Sequence, residues 1–84
     1  MKTPSTSLDV SSLYAADGTA RLSRLDAYVL AALAAVPPGA DVTLTGPAPV
    51  WLYLRLAHAL HGRVRTLTYD SPVTGPVPVF DHTP

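Results

Sequence analysis

Apolar and polar positions change period several times along the 84 residues of this chain. The first seven residues are polar and read as a loose N-terminus ahead of a single domain over 8–84. Leu8-Asp9-Val10-Ser11-Ser12-Leu13-Tyr14 alternates imperfectly, as a first strand would. Asp17-Gly18 is a hairpin-type turn signal, so Thr19–Leu22 is expected to pair back as a short arm. Ser23 stands where an N-cap belongs. Leu22, Leu25, Val29, Leu33 and Val36 recur at helical spacing with alanines between them, which predicts a core-facing helix. Pro37-Pro38-Gly39 ends that helix.

The second half is more sharply patterned. Asp41–Thr45 is a β-branched run and predicts a strand. Gly46-Pro47-Ala48-Pro49 turns the chain. Val50–His61 reads as a second helix whose apolar face holds Trp51, Leu52, Leu54, Leu56, Ala57 and Leu60, with Pro49 near its first turn and Gly62 as C-cap. Arg65–Tyr69 has the period of a strand, Ser71–Pro76 is a turn, and Val77–Phe80 is a last strand. Pro78 makes that strand an edge, or breaks it locally. The strand–helix–strand unit from Asp41 to Asp70 predicts a right-handed parallel crossover, and the short turn after it makes the last strand antiparallel. The fold class expected is therefore α/β: a small mixed β-sheet with two helices, one right-handed βαβ unit and an antiparallel C-terminal strand.

Composition narrows the function classes. Six basic and six acidic residues cancel, which argues against a duplex nucleic-acid binder with its many phosphate contacts. With no cysteine there are no disulfides and no thiolate zinc sites. No apolar run follows the polar start as in a signal peptide, and none is long enough to cross a membrane. A soluble cytoplasmic protein is the expectation. A core of this size stabilises only modestly, so self-association is expected to help.

The residues with chemistry sort by sheet edge. Gly46 and Asp70 each follow a parallel strand and share one edge. The second helix runs back, so His61 lies near the opposite edge, and the antiparallel last strand delivers His82 there too. A five-residue strand spans roughly 17 Å, so His61 and His82 are neighbours in one chain while neither reaches its own Asp70. If these residues form one site, it is shared between chains stacked edge to edge. The start of the second helix offers backbone N–H groups and a dipole for an anion. The histidines would act as acid and base or as metal ligands, and Asp70 would hold a divalent ion or a ribose hydroxyl. Plainer readings stand beside these: His58 and His61 as a solvated helix end, His82 as a frayed terminus, Asp70 as a turn starter and Trp51 as core.

Thr45–His61 (TGPAPVWLYLRLAHALH), Tyr69-Asp70, Gly75 and Phe80-Asp81-His82 together resemble the small CRISPR-associated ring nuclease family of type III systems, the third family of the Csx group. The resemblance covers roughly the last half of the chain; the first half matches only in its order of elements. It implies a ferredoxin-like or reduced CARF/Rossmann-like fold, and binding and manganese-dependent cleavage of a cyclic oligoadenylate, cyclic tetra-adenylate in that family. It also implies a homodimer that ligand stacks into a tetramer with a composite site. Carried over by position, His61, Asp70 and His82 are the catalytic residues, and Thr45, Gly46, Pro47, Ala48, Pro49, Trp51 and His58 contact the ligand. Asp70 and His61 hold the Mn2+. The family's Asp-Pro-Arg-Leu-Gly turn is here Asp70-Ser71-Pro72-Val73-Thr74-Gly75, one residue longer and without the arginine. Arg55, Arg63 and Arg65 are the replacements to consider. Losing that cation favours a second reading, a sensor or sponge that holds the ring uncut; a self-associating scaffold with no ligand is a third.

Overall fold

The computed structural model describes residues 3–83. A first strand, β1 (Ser5–Asp9), leads into a 3-10 segment (Val10–Asp17), a second short one (Leu22–Arg24) and helix α1 (Leu25–Ala35). Strand β2 (Asp41–Thr45), helix α2 (Val50–Leu60), strand β3 (Thr66–Ser71) and strand β4 (Gly75–Asp81) follow. The sheet runs β1-β2-β3-β4, with β1, β2 and β3 parallel and β4 antiparallel to β3. This is the small α/β architecture with a mixed sheet that the sequence pattern leads one to expect.

Both helices pack on one face of the sheet. Tyr28, Ala32 and Val36 from the α1 side and Leu52, Leu56 and Leu60 from α2 close over Leu8, Val42, Leu44 and Leu67 in one core. The strands alternate as half-buried strands must. Val42 and Leu44 are buried while Asp41, Thr43 and Thr45 are not. The opposite face carries Thr43, Thr45, Thr66 and Thr68, none of them buried, and there Thr66 Oγ1 donates to Asp41 Oδ1 at 2.7 Å.

The first third departs from the expected pattern. The strand expected over Leu8–Tyr14 is instead Ser5–Asp9, so pairing with β2 begins inside the segment read as loose. Serine side chains cut the strand short. Asp9 Oδ1 accepts from Ser11 N at 3.0 Å and from Ser11 Oγ at 2.6 Å, and Ser12 Oγ donates to the Asp9 carbonyl at 2.6 Å, which winds the backbone into a 3-10 segment. There is no hairpin arm at Thr19–Leu22. Gly18 (φ 75°) closes the 3-10 segment instead, its N–H donating to the Ala15 carbonyl at 3.3 Å. The Asp17 carboxylate is occupied by the Tyr28 hydroxyl at 2.7 Å and Arg24 Nε at 3.4 Å. Ser23 is not the cap: α1 starts after Arg24 with no side-chain cap, and Leu22 is exposed. Leu25, Val29 and Leu33 flank the core, while Tyr28, an aromatic outside the leucine stripe, is its centre on this helix.

The second half follows the pattern closely. β2 has the expected bounds, and α2 ends one residue early. Val36 is extended (φ −115°, ψ 121°), as a residue before proline must be. Gly62 is not a left-handed cap: the positive-φ glycines are Gly18, Gly39, Gly46 and Gly75. β4 is an edge strand with a register break, where Leu67 pairs with Phe80 but Thr68 pairs with Pro78. Both expectations for Pro78 are therefore met.

Gly46 is the tightest point of the fold. Its φ of 95° suits glycine alone, and a β-carbon there would overlap Asp9 Oδ1. Gly46→Ala is expected to cost at least about 1–2 kcal/mol from the left-handed backbone alone; in an Asp9→Ala background, which lacks the overlapping carboxylate and also its bonds to Ser11, the same substitution should cost less, as urea unfolding of the four chains would measure. Leu52→Ala, which empties the core centre, should cost about 2–5 kcal/mol in the same assay. Burial, and then the bond to Asp17, raises the Tyr28 phenol above its ordinary value of 10.0. A raised folded value means that this contribution is complete below pH 10 and is lost as pH climbs through the folded value. Thermal scans from pH 9 to 12 should show a smaller alkaline loss for Tyr28→Phe than for the unsubstituted chain.

Candidate functional site

The C-terminal ends of β2 and β3 open into a cleft of about 810 Å³ that runs between α2 and β4. Thr45, Gly46, Pro47 and Ala48 line it at one end with Asp70, Ser71 and Pro72, and Val50, Leu54, Ala57 and Val79 form its apolar walls. The sequence predicted the grouping of the Gly46 turn with Asp70, and the parallel register Leu44↔Tyr69 produces it.

Two phenols tie the turn down. Tyr53 Oη donates to the Gly46 carbonyl at 2.6 Å, and Tyr14 Oη donates to the Pro47 carbonyl at 2.5 Å. Tyr53 packs edge-to-face on Tyr69 at 5.0 Å, and burial pushes its phenol up to about 12, so it stays a neutral donor. Both carbonyls are thereby satisfied within the fold, while Pro47 and Pro49 have no N–H, so Gly46 and Ala48 carry the only N–H groups of the turn. Pro49 caps α2 with no side-chain bond, and no acidic residue sits in the first turn. Leu52 N–H donates to the Pro49 carbonyl at 3.1 Å, which leaves the Val50 and Trp51 N–H groups without an acceptor by helix geometry, and these suit an anion.

The other ligand candidates are elsewhere. Pro49 and Trp51 do not line the cleft, and Trp51 packs against the core, as its plainer reading held. His58 is exposed in the last turn of α2, roughly 12 Å along the helix from Val50.

His61 and His82 meet at the opposite edge. Their ring centroids are 4.7 Å apart and edge-on, and Phe80 sits against both, at 5.0 Å from His61 and 4.8 Å from His82. The His82 N–H donates to the Arg65 carbonyl at 2.8 Å, so the tail through residue 82 is tied to the start of β3. Asp70 pairs with Pro76, whereas Asp81 pairs with Thr66. Four residues of β3, about 13 Å, therefore separate Asp70 from the histidine edge. Among the described residues no group of three His, Asp or Glu side chains could hold a metal ion. The residues of one chain do not fit the manganese site expected on Asp70 and His61.

The arginines considered as replacements are placed differently. Arg55 pairs with Asp26 at 3.5 Å, across the two helices. Arg65 pairs with Asp41 at 3.6 Å and donates to Thr3 Oγ1 at 2.9 Å. Arg63 is exposed on the turn after His61, and its side chain makes no ion pair or hydrogen bond among the described residues. At the Asp70 edge the turn Pro72–Thr74 carries no cation; the Ser71 hydroxyl closes it by accepting from Val73 N at 3.1 Å and Thr74 N at 3.2 Å.

Four participants, Asp9, Tyr14, Tyr53 and Phe80, had no site role of their own in the sequence reading, and Tyr14 was read only as part of the first strand. Asp9 was hidden because the first strand was displaced. Tyr53 was not among the residues named on the apolar face of α2. Phe80 was a strand residue whose contact with two histidines depends on the register of β4; its position two residues before His82, on the same strand face, was the available signal.

No helix among the described residues is long and apolar enough to cross a membrane. No curated protein and no solved structure matches the chain. A family described as CRISPR-associated protein (Cas_csx3) matches residues 21–84. That span takes in α1, the Gly46 turn, α2, Asp70 and the paired histidines. It is well over half of the sequence, and the chain belongs to this CRISPR-associated family.

Proposed function

We propose that this protein binds a cyclic oligoadenylate, with cyclic tetra-adenylate as the first candidate, and cleaves it in the cytoplasm to end CRISPR signalling. The observation that carries the proposal is the pairing of His61 with His82 at one sheet edge, while the anion-suited turn and Asp70 occupy the other. A ring whose phosphates repeat around it can touch both edges only when two chains face each other. Family membership supports the CRISPR association of this reading.

The chain's own residues suit a transesterification. One neutral imidazole of the pair takes the proton from a ribose 2′-hydroxyl. The 2′ oxygen bonds to the adjacent phosphorus as the P–O5′ bond breaks. The other imidazole, protonated, gives its proton to the departing 5′ oxygen. The products are a 2′,3′-cyclic phosphate and a 5′-hydroxyl. Asp70 of the facing chain accepts a hydrogen bond from ribose, and the first N–H groups of α2 hold a neighbouring phosphate. Manganese, if the facing chains together supply ligands, would add charge stabilisation. Self-association is part of the proposal because one chain holds only half of each site.

A second reading, a protein that sequesters the ring without cutting it, is favoured by the Pro72–Thr74 turn, which offers no cation where phosphate would sit.

Incubation with labelled cyclic tetra-adenylate, with and without manganese, should give linear products. His61→Ala and His82→Ala should each slow cleavage by about 10²-fold or more while binding persists. Retarded but intact ring in every condition would establish the sequestering reading instead. Mixing inactive His61→Ala with inactive Asp70→Ala, under conditions where subunits exchange, should restore cleavage, because one mixed site receives an intact half from each chain. Continued inactivity of an exchanged mixture would reject the shared site.

A further inference from the structure

We infer that Arg63 is the phosphate-contacting cation of the histidine edge, reaching the scissile phosphodiester beside His61 and His82; this rests on the cleavage reading above. In-line attack at phosphorus gathers charge on the two non-bridging oxygens, and two imidazoles engaged in moving protons do not neutralise it. A guanidinium does so well, because it stays charged and offers forked donors.

The described arginines can be sorted by what they already hold. Arg24 is paired with Asp17 and Arg55 with Asp26, both away from this edge. Arg65 is close to the histidines in the chain, but Asp41 and Thr3 share its guanidinium. Arg21 precedes α1, far in the chain from either histidine. Arg63 stands two residues after His61, exposed and with no side-chain partner among the described residues.

Its backbone is nevertheless fixed from both sides. The Arg63 N–H donates to the Leu60 carbonyl at 3.0 Å, and the Arg63 carbonyl accepts from Gly39 N at 2.9 Å. The same turn continues into Arg65, whose N–H donates to Ala40 and whose carbonyl accepts from His82, each at 2.8 Å. The turn that carries Arg63 is thus bonded to the segment that carries His82. A pinned backbone with an unengaged cation is what an incoming phosphate requires, since no existing ion pair must break.

Asp81 is the anion nearest this arrangement in the chain, and it does not stand in the way. It pairs with Thr66, and strand alternation puts it on the opposite side from Phe80, while the rings of Phe80 and His82 pack together. Hydrogen bonds from Thr83 keep its carboxyl below the usual range and ionised.

The test uses the full chain and cyclic tetra-adenylate. Arg63→Ala should lower kcat by about 10²-fold or more with KM much less affected, Arg63→Lys should recover part of the loss, and Arg55→Ala should match the unsubstituted chain. Thermal unfolding of Arg63→Ala should be unchanged, since its side chain holds nothing. Placement is read by mixing: Arg63→Ala with Asp70→Ala should regain activity, whereas Arg63→Ala with His61→Ala should not, because both lesions lie in the same half-site. If the unsubstituted chain cleaves and Arg63→Ala cleaves equally well, this inference is overturned and the cleavage reading stands. Recovery in the Arg63→Ala and His61→Ala mixture would equally overturn the placement. If the unsubstituted chain leaves the ring intact, the cleavage reading fails and takes this inference with it.

Discussion

The direction of two strands organises this molecule. β2 and β3 are parallel, so the chain must cross the sheet between them, and α2 is that crossing. A crossover helix begins at one sheet edge and ends at the other. Its N-terminus therefore lies beside the ends of β2 and β3, and its C-terminus beside their starts. β4 reverses direction after only three turn residues and carries the chain end back to where α2 finished. Anion-suited backbone collects at one edge and imidazoles at the other for the same reason. Buried leucines on α2, Leu52, Leu56 and Leu60, keep the crossing in place by packing on Leu44 and Leu67.

Legibility in the sequence follows from how local each determinant is. The Asp41–Thr45 run and the helix after it declare themselves through β-branching, periodicity and flanking proline, all within a few residues. The edge placement of His61 and His82 was legible because it depends only on element order and strand direction. The region before α1 was not. Its outcome turns on serine hydroxyls recapturing the Asp9 backbone and carboxylate, and on Asp17 being claimed by Tyr28 eleven residues later. Periodicity cannot register either competition. The Gly62 expectation failed more simply: the chain stays right-handed through His61, and the next residues close with Arg63 and Val64 donating to the Leu60 carbonyl.

The candidate site was readable to a similar depth. Which residues share an edge could be argued from topology. Which side chains already have partners could not, and that inventory separates Arg63 from Arg55 and Arg65. Likewise the pinning of the Gly46 turn by Tyr14 and Tyr53 depends on phenols arriving from two different elements, one thirty-three residues away in the chain. The turn is held by distant parts of the fold, so its shape reports on the integrity of the whole domain.

The prolines of β4 bear on how copies of this chain can meet. Pro76 and Pro78 have no N–H to offer, and the register slips between them and Phe80. A neighbouring strand laid along this border would find donors absent and the spacing out of phase, so the sheet cannot grow sideways here into a continuous ribbon. The other edge of the sheet, β1, carries no proline, so the two sides of the sheet differ in what they offer a neighbouring strand. The border that carries the histidine-bearing tail is thus closed to strand addition, and any pairing of copies through strand edges falls to β1.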